Sequence, residues 1–578
     1  VNPATRLAHL TVHALARAGV GHVVLCPGSR SAPLAYALAG RIRPDLTLHV
    51  RHDERVAAFT ALGAGLAGTT IGAVVTTSGT AAANLHPAVL EAHHANRPLV
   101  VVTADRPPTL RGTWANQTSE LQAGVFGDAV RARLDLDDAA AVAGPRGVLG
   151  ELVTTMLAAT GRPSGRPGPV HLNLGFTEPL LPDHGPDDGP DDGPDDGRIG
   201  AVTVEEVPEP DPAPEQPLLE LTPGPRTVVV AGDGAGAVAR EFAEAAGLPL
   251  LAEPSSLARG GPNAVGPYRL LLDLPTLGGA VERVVAFGRP TLSRPVTRLL
   301  QRPDVEVVLV SPYPGWPDPG RAVTRCSRIV VDAPAPRPWL DRWRAAGAAA
   351  AAAIDGVLDG DALADRLTGP LLARELWAAL RPGEHLVAGS SNPIRDLDLA
   401  AHPASGSGPH VVAGRGLAGI DGTLSTATGL ALAAGPTRVL VGDVTFLHDV
   451  GALLVGPADR RPDLQVVVLN DGGGGIFGLL EYGERAQAGP AAARTFDRLF
   501  GTPHAADLSA LCRGYDVRHE AVKDLTRLRE ALAEPRPGTG VVEVRADRWG
   551  LRDLHARLGA AARAAALTAL GTAEQHPV

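Results

Sequence analysis

Two strand-like runs in the last third of the chain end in oxygen donors. RVLVGDVTFLHDV carries Gly442 and Asp443. About 28 residues later, LQVVVLNDGGGGIFGLL carries Asn470 and Asp471 ahead of a glycine run. Apolar runs of this length read as buried strands of a parallel sheet, and open α/β sheets bind ligands beyond the carboxyl ends of their strands. Carboxylate and amide oxygens delivered there suit a hard cation such as Mg²⁺, which takes oxygen ligands and usually bridges to phosphates. The glycines let backbone approach a diphosphate. The chain's other strand-then-Gly-Asp sequence, VVVAGDGAGA with Gly232, Gly234 and Gly236, has no such partner strand; Asn263, in the turn-like RGGPNAVG, is the nearest amide. It lacks a full GxGxxG with an acidic residue on a following strand, so a tight structural turn accounts for it better than a nucleotide site.

Gly-Asp followed at this distance by an asparagine pair is the thiamine diphosphate signature. The motif at Gly442 resembles it, with Asp471 in place of the second asparagine, an equally good hard-oxygen ligand. Enzymes using that cofactor need a carboxylate beside N1′ of its aminopyrimidine, to promote the imino tautomer that deprotonates the thiazolium. Glu54, in LTLHVRHDERVAAFTALGAG, stands at a strand-to-helix junction in a separate, earlier α/β region. A glutamate at a helix N-terminus is common for dipole reasons alone. The two motifs in this order are not common.

The elements that must carry these residues are legible as alternating patterns. PATRLAHLTVHALARAG reads as an amphipathic helix, and HVVLCPG, LTLHV, GAVVTT, PLVVVTAD and GPVHLNLG as buried strands. DERVAAFTALGAGLAG and TAAANLHPAVLEAHH read as helical segments between them. The same alternation recurs from RTVVVAGDGAGAVAREF through RVVAFG, VEVVLVS and RIVVDA. It recurs again in HLVAG, TRVLVGD, LQVVVLND and GVVEVRA. The expected class is therefore α/β with three parallel-sheet domains, over residues 1–180, 218–345 and 362–558, joined in part by a 181–217 linker. That linker holds GPDDGPDDGPDDG and VEEVPEPDPAPEQ and reads as solvated and disordered.

Composition excludes several chemistries. The chain has 578 residues, with 53 Lys+Arg and 63 Asp+Glu, for a formal charge of −10. Lys523, in EAVKDL, is its single lysine. A lysine Schiff base and a P-loop are therefore not expected. Cys26, Cys326 and Cys512 are too scattered for a CxxC metal site and too few for a disulfide framework, which suits a reducing cytoplasm. No apolar run reaches the ~20 residues of a membrane span. Between Pro182 and Gln216 lie twelve acids and one arginine, a formal −11, so the remaining chain stands near +1. The acidity belongs to the linker and argues neither for nor against a nucleic-acid or membrane partner; the motifs point to small anions and not to nucleic acid.

CPGSRSAPL, HDERVAAFTALGAGLA, TTSGTAAANLHPAVLEA, TADRPP, ANQ, GRGLAGIDGTLSTATG and NDGGGGIF together resemble the 2-succinyl-5-enolpyruvyl-6-hydroxy-3-cyclohexene-1-carboxylate (SEPHCHC) synthases of menaquinone biosynthesis. The resemblance covers essentially the whole chain outside the acidic linker. It implies the thiamine diphosphate decarboxylase fold, with Mg²⁺ (Mn²⁺ as an alternative) as the metal. It also implies decarboxylation of 2-oxoglutarate and a Stetter-like addition of the four-carbon acyl carbanion equivalent to isochorismate. Both substrates are dicarboxylates, for which guanidinium groups are apt partners.

At matching positions the resemblance implies Asp443, Asp471 and the Gly473 carbonyl as metal ligands, Gly442 beside them, and Glu54 as the catalytic residue. Ser29, Arg30, Arg106, Asn116 and Gln117 would contact isochorismate. Ser391, Arg395 and Arg415 would hold the 2-oxoglutarate-derived adduct and the acceptor. Arg294 would be a contribution from the middle domain, although Pro295 stands where relatives can carry a second basic residue. Ile420 would hold the cofactor bent, and Ile476, Phe477 and Leu480 would form an apolar wall. His22, His52 and His86 read as packed or solvated. Because Glu54 and Asp443 meet across a subunit interface in this superfamily, a homodimer or homotetramer is implied. Competing readings are another thiamine diphosphate 2-oxoacid decarboxylase or acetohydroxyacid synthase, and a nucleotide-binding oxidoreductase or regulatory module built on GDGAGA.

Overall fold

The computed structural model describes residues 1–40, 45–162, 164–182, 218–222, 224–313, 323–364 and 366–575. The acidic GPDD tract lies outside them. The chain divides into two compact units. The first comprises Val1–Pro214, Gly414–Thr437 and His448–Leu464; the second comprises Glu215–Ala413, Arg438–Leu447 and Gln465–Val578.

The first unit is built on a six-stranded sheet of β1 (Val20–Leu25), β2 (Thr47–Val50), β3 (Ile71–Thr76), β4 (Leu99–Asp105), β5 (Arg133–Asp137) and β6 (Pro169–Gly175). Its order is β2-β1-β3-β4-β6-β5, and every neighbouring pair is parallel. β3, β4 and β6 are buried along their whole length, as expected of strands covered on both faces.

The second unit holds two larger sheets and a two-stranded ribbon. β7 (Leu218–Leu221) pairs with β13 (Arg328–Val331). β8 (Thr227–Ala231), β9 (Leu250–Ala252), β10 (Arg283–Phe287), β11 (Glu306–Val310) and β12 (Val323–Cys326) form a parallel sheet in the order β12-β11-β10-β8-β9. The last sheet contains β14 (His385–Ala388), β15 (His410–Ala413), β16 (Thr437–Gly442), β17 (Leu464–Asn470), β18 (Arg518–Val522) and β19 (Gly540–Arg545), ordered β15-β14-β16-β17-β19-β18. Counted within each sheet, this strand order is that of the first sheet. The middle and last sheets share one apolar core, from Val228 and Leu251 through Trp343 to Leu440 and Val467. The three sheets match the expected α/β class. Two units replace three separate cores because that shared cluster fuses the latter two sheets, while two segments of the last region belong with the first sheet.

TAAANLHPAVLEAHH is not one helix. It breaks into Thr80–Ala83 and His86–Ala95, because Pro87 has no N–H to donate and is tolerated in the first turn of the second helix. The glycines of GDGAGA have a local cause. A Cβ at Gly232 would lie 2.0 Å from the Pro290 nitrogen, and Gly234 and Gly236 have φ of +69° and +78°. His22 stacks on His49, and His86 sits edge-on to Phe126, as packed side chains. Among the described residues no helix is long and apolar enough to cross a membrane.

The helix Glu54–Gly65 is capped by Asp53, whose Oδ1 accepts from the Arg55 and Val56 amides at 2.8 and 3.2 Å. It crosses the helix Thr423–Ala434 backbone to backbone. A Cβ at Gly63 would lie 2.0 Å from the Thr426 carbonyl oxygen, and one at Gly429 would lie 1.9 Å from that of Thr60. The second helix is held at its start by buried Asp449, which accepts from Ser425 N at 2.8 Å and from Ser425 Oγ at 3.0 Å. Burial pushes the Asp449 carboxyl up to about 6, against the opposing effect of these hydrogen bonds. The native pKa then exceeds the unfolded one, so the ionised carboxylate destabilises the fold. That cost is absent at about pH 3 and complete above about pH 7. We therefore predict that the stability of Asp449→Asn relative to the parent rises by roughly 3 kcal/mol between those pH values. Urea unfolding of both proteins across that range checks it; a pH-independent difference would contradict it.

Candidate active site

The last sheet places its acidic residues at adjacent strand ends. β16 ends at Gly442, and Asp443 opens the short helix Asp443–His448. Asp443 is 1 % exposed. Its Oδ1 accepts from the Val444 amide at 2.7 Å, and its Oδ2 accepts from the Gly473 amide at 2.9 Å. His504 Nε2 lies 3.0 Å from the same Oδ2. On neighbouring β17, Asn470 donates to Glu543 at 2.7 Å and accepts from the Gly472 amide, so its side chain is occupied in shaping the turn. Asp471 follows. Its Oδ1 is buried without a hydrogen-bond partner. Burial, and next the charge of Asp443, push its carboxyl up to about 7.

Such a pair fits a hard cation. Two carboxylates repel in a dry site, one oxygen is left unmatched, and a cation would relieve both. Among the described residues no three His, Cys, Asp or Glu side chains are grouped to hold a metal by themselves. A cation at this pair would take further ligands from backbone and from a bound molecule. The backbone is shaped for this. Gly472 and Gly473 have φ of +75° and +151°. A Cβ at Gly473 would lie 2.1 Å from the Gly501 carbonyl oxygen, and one at Gly475 would lie 2.1 Å from Asp471 Oδ2.

Two residues that sequence motifs do not flag hold this turn. Arg548 Nη1 donates to the Gly472 carbonyl at 2.9 Å, and its Nη2 donates to Asp497 Oδ1 at 2.6 Å. His504 is the other, 61 residues beyond Asp443. On the same unit, Arg395 Nη1 donates to the Ser391 carbonyl at 2.7 Å, and Ser391 holds φ of +74° where the helix Asn392–Ala400 begins. Next to Arg395, Asp396 is buried and its carboxyl is pushed up to about 7 by burial; His555 Nε2 lies 3.8 Å away. Arg294 pairs with Glu481 at 2.8 Å, immediately after Leu480, so the middle sheet's arginine does adjoin the half-buried Ile476–Leu480 turn that includes Phe477.

The first unit carries the other group. Glu54 is half-buried at the first position of its helix, and Asn84 Nδ2 lies 3.3 Å from its Oε2. Arg30 Nη1 donates to the Phe176 carbonyl at 2.9 Å, with Glu178 at 3.6 Å from Nη2. Burial, and next the charge of Arg106, lower the Arg30 pKa. Arg106 Nη1 donates to Ser78 Oγ at 3.0 Å and to the Gln117 carbonyl at 2.8 Å. Gln117 stands at φ +59°, and Asn116, Gln117 and Ser29 are exposed. Glu91, which no motif marks, accepts from the Gly416 and Leu417 amides at 2.7 and 2.8 Å. It thereby fixes the loop that carries buried Arg415 and half-buried Ile420.

A parallel sheet with paired carboxylates over a glycine turn, and a second, similarly ordered sheet with a glutamate at a helix start, define a thiamine diphosphate-dependent enzyme. Family models agree: the thiamine pyrophosphate enzyme N-terminal TPP binding domain matches residues 5–125, and the C-terminal TPP binding domain matches 397–545. The 2-succinyl-5-enolpyruvyl-6-hydroxy-3-cyclohexene-1-carboxylate synthase of Kineococcus radiotolerans is 50% identical over 589 residues, covering 98% of this chain and 100% of that protein. The synthase of the same name from Arthrobacter sp. is 48% identical, covering 98% and 93%. The chain belongs to this synthase family. In fold it is also similar to benzoylformate decarboxylase from Polynucleobacter necessarius, with a TM-score of 0.60 at 15% identity over 94% of this chain and 98% of that one.

The clamp on the turn is testable. We predict that Arg548→Ala weakens joint thiamine diphosphate and Mg²⁺ binding by about 10- to 100-fold, as loss of an outer contact to a metal site does. Intrinsic-fluorescence titration of the two together would measure it, and unchanged affinity would remove Arg548 from that role.

Proposed function

We propose that the chain uses thiamine diphosphate and Mg²⁺ to decarboxylate 2-oxoglutarate and add the resulting four-carbon unit to isochorismate, forming SEPHCHC for menaquinone biosynthesis in the cytoplasm. The observation that carries this reading is the near-full-length identity to synthases of that name. Arg30 and Arg106, both on the first unit and with the charge of Arg106 felt at Arg30, support it, because guanidiniums are apt partners for a dicarboxylate.

When bound, thiamine diphosphate supplies a nucleophilic carbon and an electron sink for loss of CO₂ from a 2-oxoacid. Glu54 acts as the proton-holding carboxylate beside the aminopyrimidine. Asp443, Asp471 and the Gly473 carbonyl would hold Mg²⁺, with Gly442 beside them. Ser391 and Arg395 take the 2-oxoglutarate carboxylate, and Arg415 and Arg294 add positive charge. Ser29, Arg30, Arg106, Asn116 and Gln117 take isochorismate. Ile420 would hold the cofactor bent, and Ile476, Phe477 and Leu480 would form an apolar wall that excludes water. The assembly is a homodimer or homotetramer, as the resemblance to thiamine diphosphate enzymes implies.

The deciding experiment follows isochorismate absorbance with thiamine diphosphate, Mg²⁺ and 2-oxoglutarate. We expect consumption that requires all three. A protein that turns over 2-oxoglutarate or pyruvate but leaves isochorismate intact would instead be a simple decarboxylase or an acetohydroxyacid synthase. Glu54→Gln should lower kcat about 10²- to 10⁴-fold, as loss of a general acid–base group does, without shifting the thermal midpoint. Near-normal turnover in that variant would remove Glu54 from catalysis.

A further inference from the structure

The interior of the first sheet contains a polar stripe that neither the cofactor motifs nor the substrate arginines account for. Thr103 on β4 is the register partner of Asn173 on β6, which in turn partners Asp135 on β5. His171 and Asp105 lie two residues from Asn173 and Thr103 on the same strands, and so share their face. Thr103, Asp105, His171 and Asn173 are each 0 % exposed, in strands whose other side chains are apolar. Each buried polar group costs free energy unless it is fully paired, so such a stripe needs a reason.

Its hydrogen bonds form one directed chain. Asn173 Nδ2 donates to Asp105 Oδ2 at 3.0 Å and to Asp135 Oδ1 at 2.8 Å. Asn173 Oδ1 accepts from Thr103 Oγ1 at 2.9 Å and from Gln122 Nε2 at 3.0 Å. Thr103 Oγ1 also lies 2.8 Å from His171 Nε2. Burial holds the imidazole neutral, its pKa pushed down to about 4. Gln122 is 2 % exposed. It spends its other amide proton on the Ala104 carbonyl at 3.1 Å and presents Oε1 to the Gly79 amide at 2.8 Å.

Gly79 is where the stripe reaches the surface. It stands at φ +78° and directly follows Ser78, whose Oγ donates to the Gln117 carbonyl at 2.8 Å. Arg106 Nη1 bridges that same hydroxyl and carbonyl. The loops after β3 and β4 are therefore locked together, and Gln122 joins the locked pair to the sheet. In the strand order of the last sheet, the corresponding loops carry Asp443 and Asp471. Both sit at the carboxyl ends where such sheets bind ligands.

We propose that Gln122 is a positioning residue for the isochorismate pocket: it fixes the Ser78–Gly79 turn, and through it the angles at which Arg106 and Gln117 meet the substrate. The proposal rests on the isochorismate reading above and names a residue that reading does not use. Gln122→Met keeps the side-chain length and removes all three hydrogen bonds. It should raise the KM for isochorismate about tenfold or more, because small misplacements of binding groups are costly, while moving the KM for 2-oxoglutarate less than threefold. Thr103→Val, which breaks the stripe between Asn173 and His171 and leaves the Gln122 bonds to Asn173 and Gly79 in place, should lower the thermal midpoint and leave both KM values alone. Amide hydrogen exchange gives a second readout, independent of substrate: residues 77–80 and 116–118 should exchange faster in Gln122→Met and not in Thr103→Val. If wild-type protein consumes no isochorismate, the reaction assignment falls, and the exchange result alone decides the positioning role. Unchanged exchange, or KM values for both substrates rising together, would overturn it. Should Gln122→Met not accumulate folded, Ser78→Ala removes the hydroxyl that joins Arg106 to Gln117 and must give the same KM split.

Discussion

Two carboxylates, Asp443 and Asp471, are buried at the ends of neighbouring strands, and much of the second unit is organised around the cost of keeping them there. Like charges in a dry site raise each other's pKa. Asp443 is held as an acceptor by two backbone amides and by His504. Asp471 has no comparable support at Oδ1, and its carboxyl is pushed up accordingly. Replacing a second asparagine by aspartate thus shifts the balance of the site. An amide there would be neutral in any state, whereas the carboxylate is poorly tolerated until a cation arrives. The glycine turn, the Gly501 carbonyl packed against it and the Arg548 clamp belong to the same arrangement, because a flexible turn would let Asp471 swing to water and relax.

The first and last sheets share a strand order but differ in what they place at their carboxyl ends. One offers carboxylates, the other guanidiniums and hydroxyls. A common scaffold can serve both charges because the strand ends supply position, and the residue after each strand supplies sign. In the last sheet the ordering groups are glycines and a cation-seeking pair. In the first sheet they are buried amides and a threonine, which direct Gln122 toward Gly79. The same sheet region carries Glu54 on a helix pressed backbone to backbone against Thr423–Ala434. Gly63 and Gly429 permit that approach, and any side chain larger than hydrogen there would push the helix bearing Glu54 out of place.

Sequence carries the part of this that depends on near neighbours. Gly442-Asp443 and Asn470-Asp471 are legible because each follows an unbroken apolar strand, and Glu54 because it follows Asp53, a capping residue, at a strand's end. β5, RLDLD, and β18, RHEAV, are not legible as strands, because both are edge strands with exposed positions and weak apolar patterning. His504, Arg548, Glu91 and Gln122 are equally silent. Their partners lie tens to hundreds of residues away, and nothing local distinguishes them from other polar residues. The segment Gly414–Thr437 carries a family motif that is plain in the sequence, but its membership of the first unit rests on glycine contacts between the helix Thr423–Ala434 and a helix some 370 residues earlier.

The arginine-rich composition reads differently once partners are known. With 52 arginines and one lysine, surface ion pairs of small consequence would be the ordinary expectation. Many of these side chains instead turn inward and donate to backbone carbonyls. Arg259 reaches Ala252, Asp398 and Ala401, Arg131 reaches His93, Arg166 and Pro167, and Arg552 reaches Gly478 and Leu480. A planar group with five donors can bind several carbonyls of one loop at once, which a lysine ammonium does poorly. Arginine is therefore the chain's loop clamp as well as its candidate substrate ligand, and the two roles meet in Arg106. One nitrogen locks the Ser78 and Gln117 loops, and the rest of the guanidinium is left for a ligand. A lysine at that position could keep the charge but not both jobs, so the geometry of the lock is also the geometry of the anion site.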